Sequence, residues 1–251
     1  MVIGVQRFRT HFAGHEHQYV LIGGAACELI LEEFGVDFRA TKDLDIVLIV
    51  EALDSAFAER FWAFVEEGGY EIRERSAGEK ILYRFQKPKA ADFPAMLELF
   101  SRSPEGLKLA ADSHLTPLPI DEAVASLSAI LLNEEYYAFL KSMVRDTGGI
   151  PVLDEAALIP FKARAWLDLS QEHEQTGKVD EKNITKHRND VARLLQVLNA
   201  EARYPLPVSV ANDMRKFVEA AAEDVDYDPR QFKVNMTRKD VVERLRAAYQ
   251  I

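Results

Sequence analysis

Two short stretches decide the fold: Ile22-Gly23-Gly24-Ala25 and Arg39-Ala40-Thr41-Lys42-Asp43-Leu44-Asp45-Ile46. The glycine pair opens a predicted helix, and the two aspartates stand at the head of the apolar run 46–50. A short, uninterrupted run of Val, Ile and Leu is typical of a buried strand. Because side chains alternate along a strand, Asp43 and Asp45 are expected on one face, about 7 Å apart along the chain.

This pattern predicts a site for a metal ion and a phosphate group. Carboxylate oxygens are preferred ligands of hard cations such as Mg²⁺. The backbone amides at the start of the glycine-led helix favour an anion, and glycines let the backbone approach it closely. The two stretches together indicate metal-assisted chemistry on a nucleoside triphosphate.

The composition excludes several classes of protein. A chain of 251 residues, 48% of them apolar, is long enough for one large core or two modest domains. Its single cysteine, Cys27, excludes an internal disulfide and a multi-cysteine zinc site, and we interpret it as a small core residue. The net charge of −10 argues against a protein that coats nucleic acid, although it leaves room for one local RNA contact.

Neither the N-terminus nor any apolar run predicts export or a membrane span. The apolar runs are far shorter than the about 20 residues that cross a bilayer. Residues 1–7 lack the long apolar centre of a secretory signal. We therefore expect a cytoplasmic protein without membrane contact.

The order of predicted elements indicates an α+β fold, with an N-terminal mixed sheet and its helices followed by a mainly helical C-terminal part. The predicted strands cover 45–50, 81–85, 95–100 and 151–153, and 19–22 is a short strand or the lead-in to a helix. The main helices cover 24–34, 52–67, 154–171 and 184–200, with two more within 208–251. Helix 52–67 has one apolar face that includes Phe57 and Phe64, and Thr237 with Asp240 indicates a capping box at the start of the last helix. We expect one domain at 1–115 and a helical domain at 116–251, with the boundary between 105 and 150.

Glu98 is an acidic residue within an apolar strand. Met96, Glu98 and Phe100 share one face of the predicted strand 95–100. Enclosing a carboxylate in this way costs free energy unless it is paired, protonated or bound to a metal. An exposed edge strand is the alternative, but we favour Glu98 as a third carboxylate that completes the aspartate pair.

Polar residues also interrupt the apolar faces of two later helices. Lys162 lies in the apolar stripe of helix 154–171, where a lysine either extends to the rim or contacts a phosphate. His187, Arg188 and Asp190 lie at the start of the apolar face of helix 184–200. Singly, each is more often a satisfied core or rim group. As a set with Lys162, they predict a second wall of the same cleft.

A basic cluster surrounds the predicted hairpin and comprises Arg73, Arg75, Lys80, Arg84, Lys87 and Lys89. Solvated hairpin charges are the simpler interpretation of this cluster. The alternative is an electropositive edge that receives a polyanionic acceptor such as RNA.

At these residues the sequence resembles the nucleotidyltransferase superfamily that includes DNA polymerase β. Its signature is a hydrophobic residue before Gly-Gly, then Asp-x-Asp opening a strand, then a third acidic residue; the matching positions are Gly23-Gly24, Asp43 with Asp45, and Glu98. Within the superfamily, residues 39–45 resemble the AbiEii/AbiGii toxins. Lys162 and Asp190 resemble that family's later lysine and aspartate motifs, and the resemblance covers roughly residues 19–200.

The resemblance implies transfer of a nucleoside monophosphate from a triphosphate to an acceptor, with release of pyrophosphate. It assigns Mg²⁺ or Mn²⁺ to Asp43, Asp45 and Glu98, with Lys162 and Asp190 completing the catalytic set. The nucleotide-binding residues that it implies are Gly23, Gly24, Thr41, Lys42, Lys162 and His187. It further implies a toxin of a bacterial toxin–antitoxin or phage-exclusion system, a tRNA or other RNA acceptor, and a cognate antitoxin as partner.

Three alternatives stay open at the level of sequence. The same core would serve transfer to a small molecule or to a protein hydroxyl. The chain would also suit a module that binds a triphosphate or a partner protein without turnover. An α/β phosphatase with an Asp-x-Asp nucleophile is disfavoured, because here the apolar run follows the aspartate pair instead of preceding it.

Overall fold

The computed structural model describes residues 3–72, 82–100, 130–131 and 133–251. The chain divides into two compact units, one formed by Met1–Asp121 with Val144–Leu153 and the other by Glu122–Met143 with Asp154–Ile251. Val144–Leu153 belongs to the first unit because it adds two strands to that unit's sheet, whereas the sequence pattern placed it in the helical domain. Residues 101–129, around the predicted boundary, lie outside the described part.

The described residues of the first unit form a seven-stranded mixed sheet in the order β3-β4-β5-β2-β1-β7-β6. Its strands are β1 (Tyr19–Ile22), β2 (Asp43–Leu48), β3 (Glu71–Ile72), β4 (Leu82–Gln86), β5 (Met96–Phe100), β6 (Val144–Asp146) and β7 (Pro151–Leu153). The pairs β2–β5 and β1–β7 are parallel, and the other neighbours are antiparallel. The predicted α+β class, with a mixed sheet in the N-terminal part, is confirmed.

The described helices of the first unit lie close to the predicted ones, and α3 buries its predicted apolar face. They are α1 (Val5–His11), α2 (Gly23–Glu33) and α3 (Ser55–Gly68). The α3 helix begins where the Asp54 side chain accepts a hydrogen bond from the Phe57 amide at 2.8 Å, and it ends at Gly69 in the left-handed conformation. Its aromatic face is buried against α1 and β1, where the rings of Phe8, Phe12, Tyr19, Phe57 and Phe64 pack together.

The described part of the second unit is helical. Its helices are α4 (Glu134–Ser142), α5 (Glu155–Thr176), α6 (Glu181–Leu195), α7 (Val208–Glu223) and α8 (Arg238–Tyr249), with a short 3₁₀ turn at Pro229–Phe232. Thr237 and Asp240 form the capping box that the sequence predicts at the start of α8. The α5 helix packs against α6 and α7, and the Tyr249 hydroxyl donates to the Ala156 carbonyl at 2.8 Å. Among the described helices, none combines the length and hydropathy needed to cross a bilayer.

Candidate active site

The aspartate pair lies at the start of β2, two residues earlier than the predicted strand. Leu44 and Ile46 are buried, so the alternation of the strand places Asp43 and Asp45 together on the other face, half-buried. The strand begins this early because it pairs in parallel with β5 from its first residue, with Asp43 opposite Met96. The strand geometry therefore places both aspartates on one face, as the sequence pattern predicts.

Glu98 lies directly beside the aspartate pair. Asp45 and Glu98 are register partners on adjacent parallel strands, and a side-chain hydrogen bond joins them. Glu98 is 6% exposed, so its position in an apolar strand is buried, as the sequence indicates. Burial and the neighbouring Asp45 carboxylate raise the pKa of Glu98 to about 8, against the lowering effect of Arg84.

Arg84 is the site residue that the sequence pattern missed. It is the antiparallel register partner of Glu98, and its Nε and Nη2 lie 2.7 and 2.6 Å from Glu98 Oε1. The sequence interpreted Arg84 as a member of the hairpin's basic cluster, but its side chain is largely buried in this ion pair. The sequence signal for this ion pair is the alternation of side chains along β4 and β5, because it places Arg84 and Glu98 on the same face of a hairpin.

The rest of the basic cluster does not form one described surface. Lys87 pairs with Glu71, with 3.2 Å between Nζ and Oε2, and Lys89 packs over Gly69. Arg73, Arg75 and Lys80 lie outside the described residues. The predicted electropositive edge is therefore limited, in the described part, to the exposed Lys87 and Lys89.

The glycine pair contacts the aspartate site through its backbone. Gly23 has a φ of +68°, and a Cβ there would lie 1.8 Å from Asp45 Oδ2. A Cβ on Gly24 would lie 2.8 Å from Thr41 Oγ1 and 3.5 Å from Arg39 Nη2. Residues of both opening stretches thus converge at the start of α2.

The start of α2 leaves backbone donors for an anion. The first N–H groups of a helix have no partner within the helix, and the cap residue Ile22 supplies no side-chain hydrogen bond to them. The helix has 11 residues and begins at Gly23, directly against Asp45. A phosphate at this point would receive backbone N–H donors on one side and a carboxylate-bound cation on the other.

The carboxylates suit Mg²⁺ or Mn²⁺ as donors. Asp43, Asp45 and Glu98 offer only hard oxygen atoms, and a divalent cation would relieve the repulsion between Asp45 and Glu98. In the described part of the chain, however, no group of three or more His, Cys, Asp or Glu side chains is arranged to hold a metal ion by itself. Mg²⁺ is usually held by one or two carboxylates and substrate phosphates, and this donor set fits that mode of binding.

Thr41, Lys42 and Asp43 line one end of a cavity of about 560 Å³. Apart from Ile3, the rest of its wall comes from the hairpin between β4 and β5, and Met96, opposite Asp43 in the sheet, is part of it. Cavities of about 300–1,000 Å³ are typical of small-molecule sites. The predicted nucleotide-binding residues Thr41 and Lys42 therefore lie next to the carboxylates and at the rim of a cavity.

The second unit contains the other predicted polar residues. Lys162 Nζ lies 3.2 Å from Asp190 Oδ2, and Arg193 Nη1 lies 3.1 Å from Asp190 Oδ1. Asp190 is fully buried and Lys162 is 5% exposed, so this network is an interior one. Lys162 therefore does not extend to the rim but pairs with Asp190 in the interior, and its predicted contact with a phosphate stays a prediction.

His187 lies about one turn before Asp190 on α6 and Arg188 directly follows His187; both are half-buried. Arg188 pairs with Asp224, and its guanidinium lies over the Tyr227 ring, 4.3 Å from the ring centre. Arg188 thus joins α6 to the segment after α7. The common cleft that the sequence predicts for these residues and the aspartates stays a prediction.

Comparison with known proteins gives few matches. No family model matches the chain, and no curated protein matches it significantly. Among solved structures, it is similar to an antigenic nucleotidyltransferase-like protein from Paracoccidioides brasiliensis, with 13% identity, a TM-score of 0.49, and coverage of 98% of this chain and 91% of that chain. It is also similar to the antibiotic-resistance factor ANT(2'')-Ia, with 14% identity, a TM-score of 0.36, and coverage of 88% and 95%.

Replacing Gly23 by alanine is expected to abolish binding of a Mg²⁺–triphosphate. The new Cβ would overlap Asp45 Oδ2 and force either the carboxylate or the helix start to move. Gly35→Ala is the matched control, because Gly35 has a φ of +65° with nothing within 4 Å of its Cβ position. Both variants carry left-handed strain of about 1–2 kcal/mol. Calorimetric titration with Mg²⁺ and a triphosphate should separate them, and equal affinities would contradict the role of Gly23.

Glu98→Gln is expected to gain stability relative to the unsubstituted chain as the pH rises in chelator-containing buffer. The folded pKa of Glu98 is raised to about 8 from the usual 4.5, so its contribution is complete below about pH 4.5 and is lost as the pH rises through 8. Between about pH 5 and about pH 9 the difference should change by roughly 1–3 kcal/mol. Denaturant unfolding measures it, with the exposed Glu59→Gln as control; a flat difference would show that Arg84 keeps Glu98 ionised throughout.

Asp190→Ala is expected to destabilise the second unit by about 3–5 kcal/mol, because it leaves Lys162 buried without its carboxylate. Lys162→Met should cost less, since Arg193 still pairs with Asp190. The exposed pair Lys239–Glu243 provides a control, and Glu243→Ala should change the free energy of unfolding by no more than about 0.5 kcal/mol. Urea unfolding of the three variants tests this order, and a near-neutral Asp190→Ala would contradict it.

Proposed function

We propose that this chain is a metal-dependent nucleotidyltransferase, which moves a nucleoside monophosphate from a nucleoside triphosphate to an acceptor hydroxyl. The observation that carries the proposal is the contact between the Gly23 backbone and Asp45, on the strand that also places Asp45 against Glu98. A phosphate-binding helix start and a pair of cation-binding carboxylates thus share one point in the fold. The resemblance of residues 22–25 and 39–46 to the superfamily signature agrees with it.

The candidate site residues of the first unit have distinct roles in this mechanism. Asp43 and Asp45 hold the divalent cation, which when bound would neutralise phosphate charge and stabilise the attacking and leaving oxygens. The start of α2 binds the triphosphate through backbone amides, and Thr41 lies beside it. The acceptor oxygen forms a bond to the α-phosphorus, the bond from the α-phosphorus to the bridging oxygen breaks, and pyrophosphate leaves.

Glu98 takes the proton of the acceptor hydroxyl in this proposal. A general base works best when its pKa lies near the working pH, and burial beside Asp45 moves the pKa of Glu98 into that range. Arg84 holds Oε1 from the neighbouring strand and so fixes the orientation of the carboxyl group. Lys162, oriented by Asp190, and His187 supply the nucleotide contacts of the second unit.

For the acceptor we propose RNA, with tRNA as the first candidate, and for the biological role the toxin of a toxin–antitoxin or phage-exclusion system. Both rest on the resemblance of residues 39–45 to the AbiEii/AbiGii toxins. A cytoplasmic location and a cognate antitoxin belong to the same proposal. The acidic net charge of −10 favours an acceptor held at one end over one held along its length.

The ion pair between Arg84 and Glu98 favours a second candidate function. A carboxylate that is already held by a guanidinium is a weaker ligand for a metal and a weaker base. The chain would then bind a triphosphate and a metal without turnover. Metal-dependent triphosphate binding with no transfer of label to any acceptor would identify this function.

Asp43→Ala is expected to lower nucleotide transfer by about 10³-fold or more, because loss of a cation ligand removes several kcal/mol of charge stabilisation. Each α-labelled triphosphate is incubated with the protein, Mg²⁺ and a cell extract, and the labelled fraction is identified as RNA, protein or small molecule. Asp37→Ala, at an exposed aspartate six residues earlier, is the control. Circular dichroism checks that both variants are folded, and full transfer by a folded Asp43→Ala would overturn the proposal.

A further inference from the structure

A second cavity of the first unit lies at the far end of α2 from the aspartates. It has a volume of about 210 Å³ and is lined by residues of α1, of the end of α2 and of the turn between β6 and β7. The α2 helix begins at Gly23, against Asp45, and ends at Glu33, which lines this cavity. A helix rises 1.5 Å per residue, so about 15 Å of helix separates the two places. The cavity is therefore distinct from the candidate active site.

Arg9 brings a guanidinium group to this cavity. It lies over the glycine turn between β6 and β7, where a Cβ on Gly149 would lie 3.4 Å from Arg9 Cδ. Its Nη1 donates to the Gly148 carbonyl at 2.8 Å, which holds the half-buried side chain in place. Among the residues that the structure describes, no carboxylate pairs with Arg9. Since a guanidinium has five N–H donors, it retains donors for the carboxylate of a ligand.

Thr147 adds a second polar group at the same turn. It lines the cavity and is 6% exposed, and its buried hydroxyl has no hydrogen-bond partner in the described part of the chain. Its backbone is fixed, because Thr147 and Ile150 exchange two N–H to carbonyl hydrogen bonds across the turn. A buried hydroxyl without a partner costs free energy that an acceptor atom would recover. Thr147 and Arg9 thus both favour a ligand with acceptor oxygens.

The end of α2 gives the cavity the opposite charge. Glu32 and Glu33 both line the cavity, and the last turn of the helix contains no basic residue. Glu33 pairs with Arg145, whereas the exposed Glu32 has no ion pair among the described side chains. The last carbonyl groups of a helix add a partial negative charge, which a cation stabilises. This part of the wall therefore favours a positively charged group.

The remaining wall and the volume limit the size and character of the ligand. Leu29 and Ile150 are buried and make part of the wall apolar. Cavities for drug-sized molecules typically measure about 300–1,000 Å³, so this one suits a smaller molecule. An inorganic anion would be repelled by Glu32, and a simple amine would leave Arg9 without an acceptor. A small zwitterion with an apolar side chain satisfies both charges.

We propose that this cavity binds a free α-amino acid with an apolar side chain, such as leucine. The ligand carboxylate accepts hydrogen bonds from Arg9 and Thr147. The ligand ammonium group contacts Glu32, and the apolar side chain lies against Leu29 and Ile150. The proposal is independent of the proposed function, because none of these residues belongs to the aspartate site.

Calorimetric titration of the full chain compares leucine with two analogues that each lack one charge. The analogue 4-methylpentanoate lacks the ammonium group, and 3-methylbutylamine lacks the carboxylate. Leucine is expected to bind with a Kd of about 1 mM or lower. Each analogue is expected to bind at least about 10-fold more weakly, because it loses a hydrogen bond or ion pair to a charged group.

Thr147→Val separates contact with the ligand from a structural role. Valine keeps the branched shape and removes only a hydroxyl that has no described partner, so the Tm of the free protein is expected to stay unchanged or to rise. The affinity for leucine is expected to fall about 3–10-fold, because one hydrogen bond is lost. A residue that only supports the fold would lower the Tm and leave the affinity unchanged.

Two charge-removing variants test the two ends of the ligand. Arg9→Gln keeps a donor for the Gly148 carbonyl and is expected to weaken leucine binding at least about 10-fold. Glu32→Gln, at an exposed position, is expected to weaken leucine binding without weakening that of 4-methylpentanoate. Arg60→Gln and Glu59→Gln are the matched controls, since both residues are exposed on α3 and do not line the cavity.

The outcomes decide this proposal without any measurement of nucleotide transfer. Dependence of leucine binding on both ligand charges and on Arg9, Glu32 and Thr147 supports it. No binding of leucine, valine or methionine at about 10 mM overturns it, as does binding of 4-methylpentanoate as tight as that of leucine. Equal affinity of the folded variants and the unsubstituted chain overturns it as well. If Arg9→Gln does not fold, Glu32→Gln and Thr147→Val still decide the result.

Discussion

The rest of the candidate site depends on the contact between the Gly23 backbone and the Asp45 carboxylate. Ile22 and Asp45 are register partners in the antiparallel pair β1–β2, so the chain must turn into α2 directly over the carboxylate. Only a residue without Cβ fits there, and its φ of +68° is one that glycine adopts without strain. This single contact places the start of α2, with the amides of its first turn, at the aspartate pair.

Each unit contains a buried carboxylate, and the two units compensate its charge in different ways. In the first unit Arg84 lies against Glu98, yet desolvation and Asp45 still raise the pKa of that carboxyl group. A cation bound at the site would lower this pKa again by offsetting the charge of Asp45. In the second unit Asp190 accepts from both Lys162 and Arg193. A buried pair of this kind is expensive to break, so its presence does not by itself require a nucleotide.

The cavity beside Asp43 is formed by residues of the β4–β5 hairpin together with residues that precede β2. Ala90, Ala91 and Phe93 of its apolar wall, and Lys87, come from the turn between two antiparallel strands, the part of a sheet that tolerates changes in length and sequence best. Asp43 and Asp45, in contrast, lie within paired strands whose register is set by the buried Leu44 and Ile46. Paired strands thus hold the carboxylates, and a turn supplies most of the cavity wall.

The sequence alone determined the features that depend on local periodicity. The alternation of β2 puts Asp43 and Asp45 on one face, the apolar stripe of α3 predicts its buried side, and Thr237 with Asp240 predicts the start of α8. Only the tertiary structure decided that Arg84 pairs with Glu98, that Val144–Leu153 returns to the first sheet, and that Lys162 lies inside with Asp190. These features depend on strand register and helix packing between residues far apart in the chain, which no local pattern of side chains specifies.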